Sequence, residues 1–114
     1  MVSYKTSHIF YNLNMPYKYS YPAVFTYHEE EKDMPFDVLF PDIIPGVTCG
    51  TSFDDAMYMA KDLLKLMLTS CLRQCFEPTP IKEVQKEYPG EMVIMVDVYL
   101  DEPIDESQMG HRHK

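Results

Sequence analysis

The sequence predicts an α+β domain in which a three- to four-stranded antiparallel sheet packs against one long amphipathic helix. The predicted order of elements is β-β-β-α-(short α)-β. Three observations predict it: hydrophobic alternation over residues 21–28, an apolar stripe at 3.6-residue spacing after Ser52, and a nearly continuous apolar run over residues 92–98. The 114 residues fit one domain, because a chain of about this length buries roughly two-thirds of its unfolded surface.

Three strands are predicted before the helix. Residues 21–28 alternate between two faces, and the acidic stretch 29–33 that follows indicates a connecting loop. Residues 36–40 alternate again, and after the turn at Pro45-Gly46 residues 47–50 are long enough for a third short strand. The predicted arrangement is an antiparallel meander.

The helix has the strongest local signal in the chain. Ser52 is placed to cap its N-terminus, and Asp55 three positions later completes an S-x-x-D capping box. The apolar stripe consists of Ala56, Ala60, Leu63, Leu64, Met67, Leu68 and Cys71. Such a wide apolar face has to be covered by the sheet. Pro78 and Pro80 end this region, and a further short helical turn is predicted through Lys86.

The last predicted strand and the two termini complete the domain. The apolar run at 92–98 is typical of a central strand or one covered on both faces. Residues 1–19 lack any sustained period and are predicted to form a flexible or ill-ordered extension, whereas residues 101–114 are polar and predicted to be a loose tail. The folded domain is therefore expected to span residues 20–100.

Composition argues against direct binding to nucleic acid. The net charge is −8, with 18 acidic against 10 basic residues, and a field of that sign repels phosphate and attracts basic proteins. The acidic residues concentrate in residues 29–62, which we predict to form an anionic face or, equally, a solvated surface without a partner.

Cysteine usage and hydropathy predict a cytoplasmic protein. Cys49, Cys71 and Cys75 are odd in number and lack CxxC spacing, which is typical of reduced thiols. No apolar run approaches the roughly 18 residues of a membrane span, and the N-terminal residues lack the order of a signal peptide. No membrane association is expected.

Short motifs between residues 21 and 72 follow one another at regular spacing. They are Tyr21-Pro22-Ala23, Phe40-Pro41-Asp42, Pro45-Gly46, Thr48, Gly50, and Asp54-Asp55-Ala56 leading to Ala60-Lys61. Their order and spacing resemble the N-terminal domain of HicB antitoxins of type II toxin–antitoxin systems, where YPA, FPDLPG and an E-E-A helix start occupy these places. Gly46 and Gly50 are expected to adopt backbone angles closed to other residues.

The resemblance implies a partial RNase H-like, HicB-like fold and a bacterial antitoxin. Such a protein binds a small mRNA-cleaving toxin of the HicA type and covers its active site. These toxins resemble a double-stranded-RNA-binding domain, whose basic face an anionic partner complements. The residues we predict to contact the toxin are Glu29, Glu30, Glu31, Asp33 and Asp42, with Phe40 and Pro41 as apolar anchors. The resemblance also implies dimers or tetramers, for which an edge strand is available.

Many HicB proteins continue into a DNA-binding segment. After Tyr99 only residues 100–114 follow here, and they are short and interrupted by Pro103. Neither a helix-turn-helix nor a ribbon-helix-helix motif fits in them, so no autonomous DNA binding is predicted.

Two other function classes compete with an antitoxin. The first is a metal-dependent nuclease of partial RNase H-like fold, with Asp37, Asp42, Asp54 and Asp97 as candidate ligands and Asp37 with Asp97 in its site. Asp97 is the strongest of these, because it interrupts an apolar strand and a buried carboxylate needs a partner. The second is an orphan protein-binding scaffold without a toxin.

A zinc site has weaker support in the sequence. It would need Cys71, Cys75, His111 and His113, which lack the usual ligand spacing. We predict no catalytic residue, no metal and no cofactor.

Overall fold

The computed structural model describes residues 15–112 and confirms the α+β class. Its elements in chain order are β1 (Tyr17–Tyr27), β2 (Phe36–Leu39), β3 (Val47–Gly50), α1 (Phe53–Ser70), a 3₁₀ turn (Leu72–Gln74), α2 (Ile81–Glu87), β4 (Met92–Leu100) and a second 3₁₀ turn (Glu106–Gln108). Among the helices of the described residues, none is long and apolar enough to cross a membrane.

The four strands form one antiparallel sheet in the order β3-β2-β1-β4. β1 lies inside the sheet and pairs with β4 from Tyr17↔Leu100 to Phe25↔Met92. The first three strands form the expected meander, with β2 between β1 and β3. The apolar run at 92–98 predicts a central or doubly covered strand, whereas β4 lies at an edge of this sheet.

Helix α1 packs on one face of the sheet and forms the main core with it. Its buried residues are Ala56, Ala60, Leu64, Met67 and Leu68, and they meet Tyr21, Ala23, Phe25, Val38 and Val96 from the strands. Gly50 is needed for this packing, because a Cβ there would lie 2.4 Å from the backbone nitrogen of Ala56. Neither Gly46 nor Gly50 has a positive φ, so the expectation of special backbone angles at these two positions is wrong.

The start of α1 confirms the predicted cap. Ser52 Oγ accepts a hydrogen bond from the Asp55 backbone N–H over 3.1 Å. Asp55 Oδ2 in turn accepts a hydrogen bond from the backbone N–H of Thr51 over 2.8 Å. In a standard capping box this bond would come from the N–H of Ser52, one residue later. Two otherwise unpaired donors are thereby satisfied at the helix start.

The opposite face of the sheet is covered in part by α2. Pro22 and Val24 alternate with the core residues of β1, and both are buried. Helix α2 contacts β4, and its fully buried Val84 lines a cavity together with Leu39 and Val47. Since Val24 pairs with Leu39 and Leu39 with Val47, these residues belong to the same second face. Helix α2 therefore covers this face of β4 only in part, and Met95 remains 38% exposed.

Residues 17–19 and 101–112 are more ordered than the sequence predicts. Residues 17–19, assigned to the flexible extension, belong to β1 because β4 continues to Leu100 and pairs with them; residues 1–14 lie outside the described part. The tail is not loose over residues 101–112: Ile104 and Met109 pack against the core. The Ile104 N–H also donates to Tyr19 Oη over 2.9 Å, and the Gly110 N–H donates to the Cys75 carbonyl over 2.9 Å.

Candidate protein-binding surface

Four of the predicted contact residues lie on one loop, which we call the acidic loop. It connects β1 to β2 and carries the exposed side chains of Glu29, Glu30, Glu31 and Asp33. Its ends are tied together, because the His28 N–H donates to the Pro35 carbonyl over 2.7 Å. A turn inside it is closed by the Glu31 N–H, which donates to the His28 carbonyl over 3.1 Å. The backbone at the two ends of the loop is therefore fixed by hydrogen bonds, and the carboxylates project from it into solvent.

The negative charge of the acidic loop is largely uncompensated within the chain. His28 Nε2 lies 2.8 Å from Asp37 Oδ2, and His28 Nδ1 lies 3.8 Å from Glu30 Oε1. Within residues 15–112, Glu29, Glu31 and Asp33 form no ion pair. Lys32 supplies the one positive side chain among residues 29–33. Exposed carboxylates of this kind attract a basic partner over a Debye length.

Phe40 and Asp42 do not belong to this surface. Both are completely buried, so neither side chain is part of the exposed surface on which the sequence placed it. They also follow β2, whereas the acidic loop precedes it, and the four residues of β2 separate the two by about 13 Å at the usual strand rise. The residues predicted as one site thus lie at opposite ends of a strand.

Asp42 is not a surface charge but a buried residue that holds distant segments together through hydrogen bonds and a salt bridge. Thr79 donates twice to its carboxylate, from Oγ1 to Oδ1 over 2.6 Å and from the backbone N–H to Oδ2 over 2.9 Å. Arg112 forms a salt bridge with Oδ1. The Asp42 carbonyl also accepts from the Phe76 N–H over 2.8 Å. Three segments that are distant in sequence are joined at this one residue.

A cavity of about 360 Å³ with both polar and apolar lining residues opens next to Asp42. Half-buried Pro41 lines it, as do Ile44 and Val47, which are 60% and 64% exposed. Sequence reasoning missed Ile44 and Val47, because Ile43-Ile44 and Val47 look like ordinary core residues around a turn. Of the two predicted apolar anchors, only Pro41 lies where a partner can reach it.

The carboxylates proposed for a nuclease do not come together. Asp37 pairs with Thr26 and Asp97 with Ser20, and these β1 residues are six positions, or about 20 Å, apart. Asp97 accepts from Ser20 Oγ over 2.5 Å and lies 3.7 Å from Lys18 Nζ. It is thus a partly exposed residue with partners on the neighbouring strand.

The cysteine cluster also lacks the geometry of a metal site. No group of three or more metal-ligating side chains assembles among the described residues. Cys75 is buried, and its Sγ donates to the Cys71 carbonyl over 3.6 Å. Burial raises the pKa of the Cys75 thiol to about 11, and nearby Cys71 adds to the rise. His113, the last residue of the zinc hypothesis, lies outside the described residues.

Comparison of the chain with protein-family models, curated proteins and solved structures finds no match.

Proposed function

We propose that this chain is a cytoplasmic antitoxin of the HicB type, which binds a small basic RNA-cleaving toxin and covers its active site. The observation that carries the proposal is the acidic loop, where four exposed carboxylates project from a turn tied at both ends. Such a loop is complementary to the cationic face that a ribonuclease uses to hold RNA. Inhibition is steric and electrostatic, and the antitoxin itself performs no reaction.

The arrangement of strands gives further support. The order of elements is the one predicted together with the HicB resemblance. Of the motifs that carry the resemblance, Tyr21-Pro22-Ala23 lies within β1, Phe40-Pro41-Asp42 directly follows β2, and Asp54-Asp55-Ala56 lies in the first turn of α1. In the described sheet β4 pairs with β1 on one side only. Its outer edge offers nine residues with a single charged side chain, Asp97, for pairing with a second copy. We therefore propose a homo-oligomer that presents more than one acidic loop.

The proposal is tested by co-expression with the product of a small basic reading frame adjacent to the gene. We expect the basic protein alone to arrest bacterial growth, and this chain to restore growth and co-purify with it. As a matched control, the same basic protein is expressed with a catalytically inactive substitution, which should still co-purify without arresting growth. Failure to retain any such basic protein contradicts the proposal. RNA cleavage by the purified chain alone contradicts it equally.

A further inference from the structure

The buried carboxylate of Asp42 is paired with a cationic side chain from the segment that follows β4. Asp42 is completely buried, whereas the Arg112 side chain that pairs with it is 51% exposed. The same guanidinium lies over the Phe76 ring, with 5.5 Å between its carbon and the ring centroid. The guanidinium thus enters from solvent into a site whose base is a buried carboxylate and whose wall is an aromatic ring.

This site fits a guanidinium better than an ammonium group. Both Asp42 carboxylate oxygens are held in place by Thr79, through bonds of 2.6 Å and 2.9 Å. A planar guanidinium can donate to a fixed carboxylate and stack on a ring at the same time, whereas the compact ammonium of lysine is more strongly hydrated. The geometry therefore selects arginine.

The cavity next to Asp42 continues from this site. Thr79 and Arg112 are part of its lining, and so are Val84 of α2 and the following Tyr88. Its rim carries the exposed Ile44 and Val47. A peptide whose arginine replaced Arg112 would place its neighbouring apolar residues in this cavity, where burial of each adds affinity.

We propose that Asp42, Thr79 and Phe76 form a binding site for an arginine side chain of a basic partner protein, and that Arg112 occupies this site until the partner displaces it. The choice of partner rests on the proposed function and agrees with the net charge of −8. The guanidinium site itself does not depend on that choice.

The site is tested by titrating the full chain with Nα-acetyl-arginine amide and following the Thr79 amide signal by NMR. Arg112→Ala empties the site, and we expect it to bind the probe with a Kd on the order of 1 mM. The wild-type chain should bind at least about tenfold more weakly, because Arg112 competes for the site. Arg73→Ala, which removes another exposed arginine, should behave like wild type.

A neutral probe and a second variant separate a specific site from general attraction. Nα-acetyl-citrulline amide has nearly the same shape without the charge and should not bind to Arg112→Ala. Adding Phe76→Leu to Arg112→Ala should weaken arginine binding about two- to fivefold, the usual contribution of an exposed cation–π contact. Equal binding of arginine amide to wild type and Arg112→Ala, or equal binding of citrulline amide, overturns the site. Unchanged affinity in the Phe76→Leu variant overturns the role of the ring.

The displacement step is tested on the co-purified basic protein. Arg112→Ala should bind it at least about tenfold more tightly than wild type, because no internal arginine has to leave first. Equal affinities overturn displacement by the partner. The arginine titration requires no partner, so the absence of a basic partner contradicts the proposed function and leaves the guanidinium site to be judged by that titration.

Discussion

At the scale of single residues, the sequence does not predict the environment of residues whose contacts lie far along the chain. Asp42 follows Phe40-Pro41 in a pattern typical of an exposed turn, yet it is buried. Its carboxylate is stabilised by donors from Thr79 and Arg112, which are 37 and 70 residues further along the chain. No local pattern connects these positions. Gly50 is a similar case, because the close approach of Ala56 that requires it arises only when α1 packs on the sheet.

Cys75 provides a prediction at the same scale. Burial raises the pKa of its thiol from 9.0 to about 11, so the folded state holds this proton more tightly than the unfolded state. The resulting stability is fully present below pH 9 and is lost as the pH rises towards 11. We expect the free energy of unfolding to fall by up to about 3 kcal/mol over this range from this group. Urea denaturation at several pH values measures it.

The buried phenol of Tyr21 acts in the same direction, since burial raises its pKa as well. The contribution of Cys75 is therefore isolated by comparing Cys75→Ala with Cys49→Ala, each measured against its own value at pH 8. The decline above pH 9 should become smaller in Cys75→Ala and stay unchanged in Cys49→Ala. The same decline in both variants would show that Cys75 does not carry this effect.

At the scale of elements, strong periodic signals predict structure well and weak ones at the chain ends do not. The capped apolar stripe of α1 and the alternation in β1 both correspond to real elements. In contrast, β1 starts at Tyr17 because β4 pairs with its first residues, a contact that spans most of the chain. Among residues 101–112, Ile104 and Met109 pack against the core, and the other contacts of the tail with the domain include two hydrogen bonds and the Arg112–Asp42 salt bridge. Two apolar residues are too few to form a periodic pattern that would predict this packing.

The N-terminus of α1 gives the prediction for this scale. Ser52→Ala removes the acceptor of the Asp55 N–H and should lower the free energy of unfolding by about 1 kcal/mol. Ser70→Ala at the exposed other end of the helix should change it by less than about 0.5 kcal/mol. Chemical denaturation of both variants measures the difference. Equal stabilities of the two variants would mean that the cap contributes nothing to the fold.

At the scale of the whole molecule, the charge distribution was only partly predictable. Residues 29–62 do concentrate the acidic side chains, and Glu29 to Glu31 and Asp33 are indeed exposed on one loop. Asp42 belongs to the interior instead, and the apolar surface next to it comes from Ile44 and Val47 rather than Phe40. The reason is that composition reports how much charge a segment carries, whereas packing decides which side chains reach the surface.

The central claim is that the acidic loop captures a cationic protein, and the salt dependence of that complex tests it most directly. The measurement compares the Kd of wild type with that of a triple variant, Glu29→Lys, Glu30→Lys and Glu31→Lys, between about 50 and 300 mM NaCl. A control triple variant, Asp62→Lys, Asp101→Lys and Glu102→Lys, changes the net charge equally at exposed positions away from the loop.

We expect wild-type affinity to fall about tenfold or more over this range, since exposed charges are screened by salt. The acidic-loop variant should bind at least about tenfold more weakly at low salt, and its affinity should depend little on salt. The control variant should keep most of the wild-type affinity and most of its salt dependence. Wild-type affinity and salt dependence in the acidic-loop variant would contradict the account.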